Sequence, residues 1–363
     1  MKENYLNQIS KPIIGLAPMD GVTDAPFRYI HSKYGNPPPD IIYTEFVSTE
    51  GIIRGIERLF EKLIWHDFKI PIIAQIFGNR PQAFFEAAQI ICEFGFAGVD
   101  INMGCPARNI AKKGGGASLI STPKLAKSIV EYTNQGIEYW VENGLTPNGD
   151  FLDQKVVDKV NRFIEDKKLK KNIPRKKIPV SIKTRIGIKE PITENWTQQL
   201  IKMEPSVISM HGRTLKQAYK GEADWQELAK ASRLINNNSG ILFFANGDVT
   251  NPDSAKKCLE VTNADGLLIG RAAYGNPWII GNIINSLRGK KTAQRSQQSL
   301  KKVMIEHAQV YNQTKSPKSF YEMRKHLAWY IKNKPNASQL RSALVKVNNI
   351  NDLEQIINKF QIS

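Results

Sequence analysis

The chain has 363 residues, of which 41% are hydrophobic and 23% charged, an ordinary balance for a soluble protein with a sizeable core. Its longest apolar runs, such as residues 70–76, are far too short to cross a bilayer, and the polar segment 1–10 has no apolar signal core, so neither membrane insertion nor secretion is expected. Cys92, Cys105 and Cys258 are too few and too scattered for a disulfide framework or a zinc site, which points to a cytoplasmic setting and no metal.

Charge is the strongest bulk signal. The net +17 is concentrated: residues 286–363 hold fifteen Lys/Arg against four Asp/Glu, and residues 141–177 hold ten against six. A general basic drift explains an excess more easily than it explains this asymmetry. A polyanionic partner met mainly through the C-terminal part is the expectation.

In chain order, short apolar runs recur at 12–19, 40–46, 70–77, 98–103, 178–184, 206–211, 241–246 and 266–269. Near-continuous hydrophobicity suits parallel strands buried on both faces. Helical patterns lie between them, at 83–94, 123–131, 225–234 and 253–262. The spacing predicts an α/β fold, a closed (β/α)8 TIM barrel. An open doubly wound sheet would begin with a glycine-rich phosphate turn, whereas the first turn here is Ala17-Pro18-Met19-Asp20-Gly21.

Barrel chemistry sits at the C-terminal ends of the strands. Those ends read Pro18-Met19-Asp20, Glu45, Gln75, Asn102 and Cys105, Lys183 and Arg185, His211 and Arg213, Asn246-Gly247-Asp248, and Gly270-Arg271. Alone, Cys105 in Val99–Pro106 reads as a small buried filler. A ring of polar strand ends above apolar interiors instead indicates a cofactor and substrate pocket. The glycine-containing turns after strands seven and eight, with a helix start at Asn251-Pro252-Asp253, predict a phosphate held by Gly247, Gly270 and Arg271.

Two segments break the rhythm. More than forty residues separate the helix at 123–132 from the strand at 178; within them 153–171 reads as an extra helix, and 167–177 holds seven basic residues and no acid. This insertion, 136–177, is expected on the barrel's bottom face as a solvated, lysine-rich decoration. After residue 285 the pattern is helical only, at 300–311, 320–332, 339–347 and 351–360, beyond a polar linker at 286–300. The expected domains are a catalytic barrel, 1–285, and a small all-helical unit, 286–363, in which Arg324 and Lys325 flank an apolar stripe and offer phosphate contacts.

The segments Ala17–Arg28, Asp100–Pro106, His211-Gly212-Arg213-Thr214, Ala245–Asp248, Ile269–Ala273 and Met323-Arg324-Lys325-His326 resemble the flavin-dependent tRNA-dihydrouridine synthases, the bacterial B-type branch most of all. The resemblance runs in order along almost the whole chain, with no counterpart for 136–177. It implies an FMN-bound barrel that reduces the C5–C6 bond of uridines in the tRNA D-loop, with NADPH (or NADH) as reductant, in a monomer. It implies that Pro18, Met19 and Asp20 line the flavin, that Gln75 bonds its ring, and that Lys183 and His211 bring positive charge to the pyrimidine edge. Asn246, Gly247, Asp248, Gly270 and Arg271 would hold the FMN phosphate. Cys105 would protonate uracil C5, a task that suits a thiol of ordinary pKa about 8.5. Asn102 and Arg213 would hold the uracil, helped by Arg185. Two readings compete: an FMN enzyme acting on a free pyrimidine or dihydropyrimidine, and a non-catalytic tRNA-binding protein. Cys92 and Cys258 are expected in the core, His31, His66 and His307 as surface or packing residues, and His326 as an RNA contact or a structural hydrogen bond.

Overall fold

Apolar runs without polar alternation are satisfied only where both faces of a sheet are covered. That is how the strands of the computed structural model lie; it describes residues 5–66, 68–105, 114–148, 152–169, 173–236, 240–292, 296–315, 317–332 and 337–359. The strands β1 (Ile13–Leu16), β2 (Ile41–Tyr43), β3 (Val47–Ser48), β4 (Ile72–Phe77), β5 (Gly98–Met103), β6 (Val180–Arg185), β7 (Val207–His211), β8 (Leu242–Asn246) and β9 (Gly266–Ile269) run in the order β2-β1-β9-β8-β7-β6-β5-β4-β3. Pairing of β2 with β4, Ile42 opposite Ile72, closes the sheet into the expected (β/α)8 barrel.

The run at 40–46 behaves differently from a single strand. It stops at Tyr43, and β3 resumes the pairing with β4 at Val47 opposite Ile76. Between them the Thr44 hydroxyl accepts the Gln75 amide N–H at 3.1 Å, so a side chain takes the place of a ladder carbonyl. The interruption turns Glu45 and Phe46 towards the rim.

The barrel's helical segments are α1 (Ala25–Tyr34), α2 (Thr49–Ile52), α3 (Glu57–Glu61), α4 (Pro81–Glu93), α5 (Pro123–Asn143), α6 (Gln154–Asp166), α7 (Thr193–Ile201), α8 (Trp225–Asn236), α9 (Pro252–Thr262) and α10 (Ile279–Leu287). Helix α5 continues to Asn143 because Thr133, Gly136, Ile137 and Trp140 extend its buried stripe. Helix α6, capped by the Asp153 carboxylate on the Val156 N–H at 2.9 Å, is docked and not a solvated decoration. It buries Val156, Val157, Val160, Phe163 and Ile164, and Phe163 meets Phe60 and Phe94 edge-on at 5.5 and 5.8 Å. The insertion's basic character stays at the surface, with Arg175, Lys176 and Lys177 exposed; Lys170 and Lys171 lie outside the described residues, as does Pro106.

Beyond α10, the helices α11 (Gln297–Thr314), α12 (Met323–Tyr330), α13 (Ala337–Leu344) and α14 (Ile350–Lys359) share a second core that includes Val303, Leu327, Leu344 and Leu353, joined by Ile30 of α1. The seam with the barrel is partly polar. Glu306 accepts the hydroxyls of Tyr29 and Tyr34 and pairs with Lys33, while Lys315 stands 3.7 Å from Asp24. Tyr274, just after β9, stacks on Trp329 at 4.1 Å. Gly275 has φ +60°, and a Cβ there would lie 2.3 Å from the Trp329 carbonyl oxygen, so only glycine lets α12 approach so closely. His31, His307 and His326 are all buried in this seam around Phe27, which rules out His326 as a surface RNA contact. Among the described residues no helix is long and apolar enough to cross a membrane.

Candidate active site

The C-terminal strand ends and one edge of α12 enclose a cavity of about 890 Å³. Its wall includes Pro18, Met19, Asp20, Gln75, Asn102, Cys105, Lys183, Arg185, His211, Asn246, Gly247, Asp248, Gly270 and Arg271. Parallel strands of similar length end in one plane, which is why side chains far apart in sequence meet here.

Cys105 sits just past β5, 7% exposed and not in a disulfide. Its loop is pinned from two sides. Asn102 Oδ1 accepts the N–H groups of Gly104 and Cys105 at 3.0 and 2.8 Å, and Arg185 Nε donates to the Gly104 carbonyl at 2.7 Å. Asn102 Nδ2 donates in turn to Gln75 Oε1 at 2.9 Å, and Gln75 Nε2 donates to the buried Asp100 at 2.7 Å.

Opposite lies a cluster of cations. Lys183 donates to Asn246 Oδ1 at 3.0 Å, and burial together with the neighbouring Arg185 lowers its pKa to about 8. His211 Nδ1 faces Arg185 Nη1 at 3.1 Å. Because a guanidinium only donates, that nitrogen accepts and the neutral ring carries its proton on Nε2. Burial, then the charges of Lys183, Arg185, Arg213 and Arg271, push the His211 pKa down to about 2. The positive charge expected from His211 therefore comes from its neighbours.

The turn after β8 is a cradle. Gly247 has φ +125°, and a Cβ there would lie 2.7 Å from that of Ala223 and 3.3 Å from His211 Nε2. Asp248, at φ +54°, faces the protein: its carboxylate accepts from Arg213 at 2.6 Å, the Ala223 N–H at 2.7 Å and Arg271 at 3.0 Å. Burial alone would raise this carboxyl; the hydrogen bonds of Arg213 and Ala223 and the two guanidinium charges outweigh it and hold it low. The expected helix-start donors are partly used by α9 itself, whose Asn251–Ser254 capping box takes the Thr250, Asn251 and Ser254 N–H groups.

Four residues singled out in the sequence are not on the wall. Glu45 accepts the Gly21 N–H at 2.6 Å and pairs with Lys62 at 3.4 Å. Arg213 is a strut between Asp248 and the carbonyls of Lys220 and Gly221. Arg324 fastens α12 to the Val347 carbonyl and Asn348. Lys325 reaches the turn after β1, its Nζ 3.4 Å from where a Cβ of Gly21 would lie. Conversely, Tyr219 and Trp329 line the cavity unannounced. Tyr219 is 63% exposed with the Arg271 guanidinium 5.2 Å from its ring centre, and Trp329 lies off the apolar stripe of its helix, stacked on Tyr274.

The dihydrouridine synthase (Dus) family model matches residues 15–141 and 155–362. The chain belongs to the dihydrouridine synthase family. The match omits only 142–154 inside its span, so α6 from Lys155 onward falls within it, a narrower gap than the expected 136–177. Among relatives of this family, "Probable tRNA-dihydrouridine synthase 1" of Synechocystis is 31% identical over 94% of this chain and 84% of its own. "Probable tRNA-dihydrouridine synthase" of Staphylococcus aureus is 28% identical over 99% of this chain and 97% of its own, as is that of Staphylococcus epidermidis strain RP62A. A dihydrouridine synthase is an oxidoreductase, so the chain is an enzyme.

Proposed function

We propose that the chain reduces uridines of tRNA, those of the D-loop, to 5,6-dihydrouridine, using FMN recharged by NADPH or NADH. The observation that carries this reading is the cavity itself: one wall holds a buried thiol on a doubly pinned loop, the other an anion cradle and a lysine cation. The donor set fits a flavin mononucleotide. Gly247, Gly270, Arg271 and the His211 Nε2–H suit its phosphate, with Asp248 acting through Arg271; Gln75 and Lys183 suit the ring edge, and Pro18, Met19 and Asp20 its face. FMN bound there supplies the hydride that uracil C6 receives.

The chain's own groups do the rest. Cys105 holds a proton on Sγ for uracil C5, and the pinning of Gly104 and Cys105 keeps that sulfur from drifting off the substrate. Lys183, held by Asn246 on the cavity wall, would bring positive charge to the pyrimidine edge of a bound flavin. Asn102 and Arg185 flank the uracil, and Arg213 serves them indirectly by fixing Asp248. Residues 1–285 make the catalytic barrel. Residues 286–363 make the tRNA-binding unit, where Lys332, Arg341 and Lys346 are exposed cations; Arg324 fastens α12 to Val347 and Asn348. A wall shared between barrel and α12 suits a base presented by a macromolecule better than a free pyrimidine.

The test is direct. Purified protein should carry a yellow flavin spectrum and oxidise NADPH faster with unmodified tRNA than with free uridine. A colourless preparation that binds no added FMN, or a rate with uridine equal to that with tRNA, would overturn this reading.

A further inference from the structure

Asp100 lies within β5, wholly buried, and is not part of the cavity wall. It accepts Ser181 Oγ at 2.5 Å on one oxygen and Gln75 Nε2 at 2.7 Å on the other. From Gln75 the bonds run on to Asn102 and then to the N–H groups of Gly104 and Cys105. The polarity of this relay is fixed at both ends. A carboxylate only accepts and a backbone N–H only donates, so each amide between them has one orientation that satisfies its neighbours. Asn102 must turn Oδ1 to the cysteine loop, where both of its lone pairs are taken. What it has left is one N–H on Nδ2, at the cavity wall.

We propose that Asp100 is a positioning residue which, through Gln75, holds Asn102 as a donor-only group beside Cys105, so that the site accepts a ring bearing a carbonyl oxygen there and rejects one bearing an amino group. The proposal rests on the pyrimidine-reducing reading for its substrate, but the relay is a property of the chain and can be broken without substrate. Its charge state fits: burial raises the Asp100 pKa to about 6, while the Ser181 and Gln75 hydrogen bonds and Lys183 oppose that shift, so at pH 8 it is an acceptor at both oxygens.

Polarity makes an unusual prediction about two isosteric changes. Asn102→Asp puts an acceptor against Gln75 Oε1; turning Gln75 around only moves the conflict to Asp100. Adding Asp100→Asn removes it, because Asn at 100 can keep the Ser181 hydroxyl on its oxygen and offer its NH₂ to a turned Gln75. Every buried group is then paired again, with the two side-chain links reversed, but position 102 has no N–H to offer a substrate.

The experiment compares melting temperature and dihydrouridine formation for the full-length protein, N102D, and D100N/N102D at pH 8. N102D should melt about 2–4 °C below the unaltered protein, the effect of one unpaired buried junction. D100N/N102D should regain most of that loss while its turnover stays about 100-fold or more below normal, a split that a packing role for Asp100 does not produce. An N102D too unstable to purify counts in the same direction if the double variant folds. The proposal fails if N102D melts normally, if D100N gives no rescue, or if the double variant regains turnover. Failure of the functional reading looks different: unaltered protein without flavin or product, the melting pattern intact.

Discussion

Two regions of this molecule bury polar side chains, and they handle them in opposite ways. At the cavity rim and just beneath it, where Asp100 lies, Asp100, Gln75, Asn102, Arg185 and Asp248 pair donor to acceptor in directed chains. At the seam between barrel and helical unit, His31, His307 and His326 sit among aromatic rings, and His31 Nδ1, His307 Nε2 and His326 Nδ1 have no hydrogen-bond partner. The rim is organised by direction and charge; the seam tolerates unpaired nitrogens because its rings stay neutral. The rim should therefore break when polarity is altered, and the seam when protons are added.

The largest expected effect is at the rim. Asp248→Ala leaves the buried Arg213 guanidinium without its counter-charge, and should cost about 3–5 kcal/mol in denaturant unfolding together with loss of bound flavin. A variant that keeps both would show that the Asp248 ion pairs are ornamental. Next, Arg185→Met removes the second pin on the Gly104 carbonyl; turnover should drop about 100-fold, some 2.7 kcal/mol, with flavin still bound. Unchanged turnover would mean that Asn102 alone holds the loop.

The seam's response is to acid. Burial lowers His31 and His307 to about 3 and His326 well below the ordinary value, so all three take up protons only on unfolding. Stability from them is complete above pH about 6.5 and is lost as pH falls. Burial raises Asp24 and Asp100 to about 6, so these bind protons in the folded state and oppose the trend. Between pH 6 and 4 these five groups leave about one excess proton on the unfolded chain, about 1.4 kcal/mol per pH unit; below about 4 the unfolded carboxyls also fill, but folded His31 and His307 begin to take up protons near 3, so the excess rises only towards two, about 2.7 kcal/mol per unit. Stability measured by urea titration across this range should steepen in that way, and His326→Gln should remove one proton from the slope. A flat acid limb would contradict a neutral histidine seam. The smallest effect is Tyr330→Phe, which takes away the 2.9 Å bond to His307 Nδ1 and should cost about 1 kcal/mol at pH 7.

The barrel was legible because doubly buried parallel strands leave apolar runs that need no context. What escaped the sequence depends on distant partners. The break after Tyr43 needs Thr44 to reach Gln75; the docking of α6 needs Phe60 and Phe94 beneath Phe163. Site membership was legible where a polar residue ends a strand, as with Asn102 and Lys183. Direction was not: Arg213 and Arg324 look like ligand-binding cations in sequence, yet both point at protein oxygens. Tyr219 and Trp329 lie on a loop and a helix with no polar signature to mark them.

The most direct test of the whole account is single-turnover dihydrouridine formation by Cys105→Ala on unmodified tRNA. Under the proposed assignment the thiol is the proton donor, so the variant should keep flavin and tRNA affinity while product formation falls about 10²–10⁴-fold. Near-normal dihydrouridine from that variant would contradict the assignment of Cys105 and, with it, the purpose of the relay that holds it.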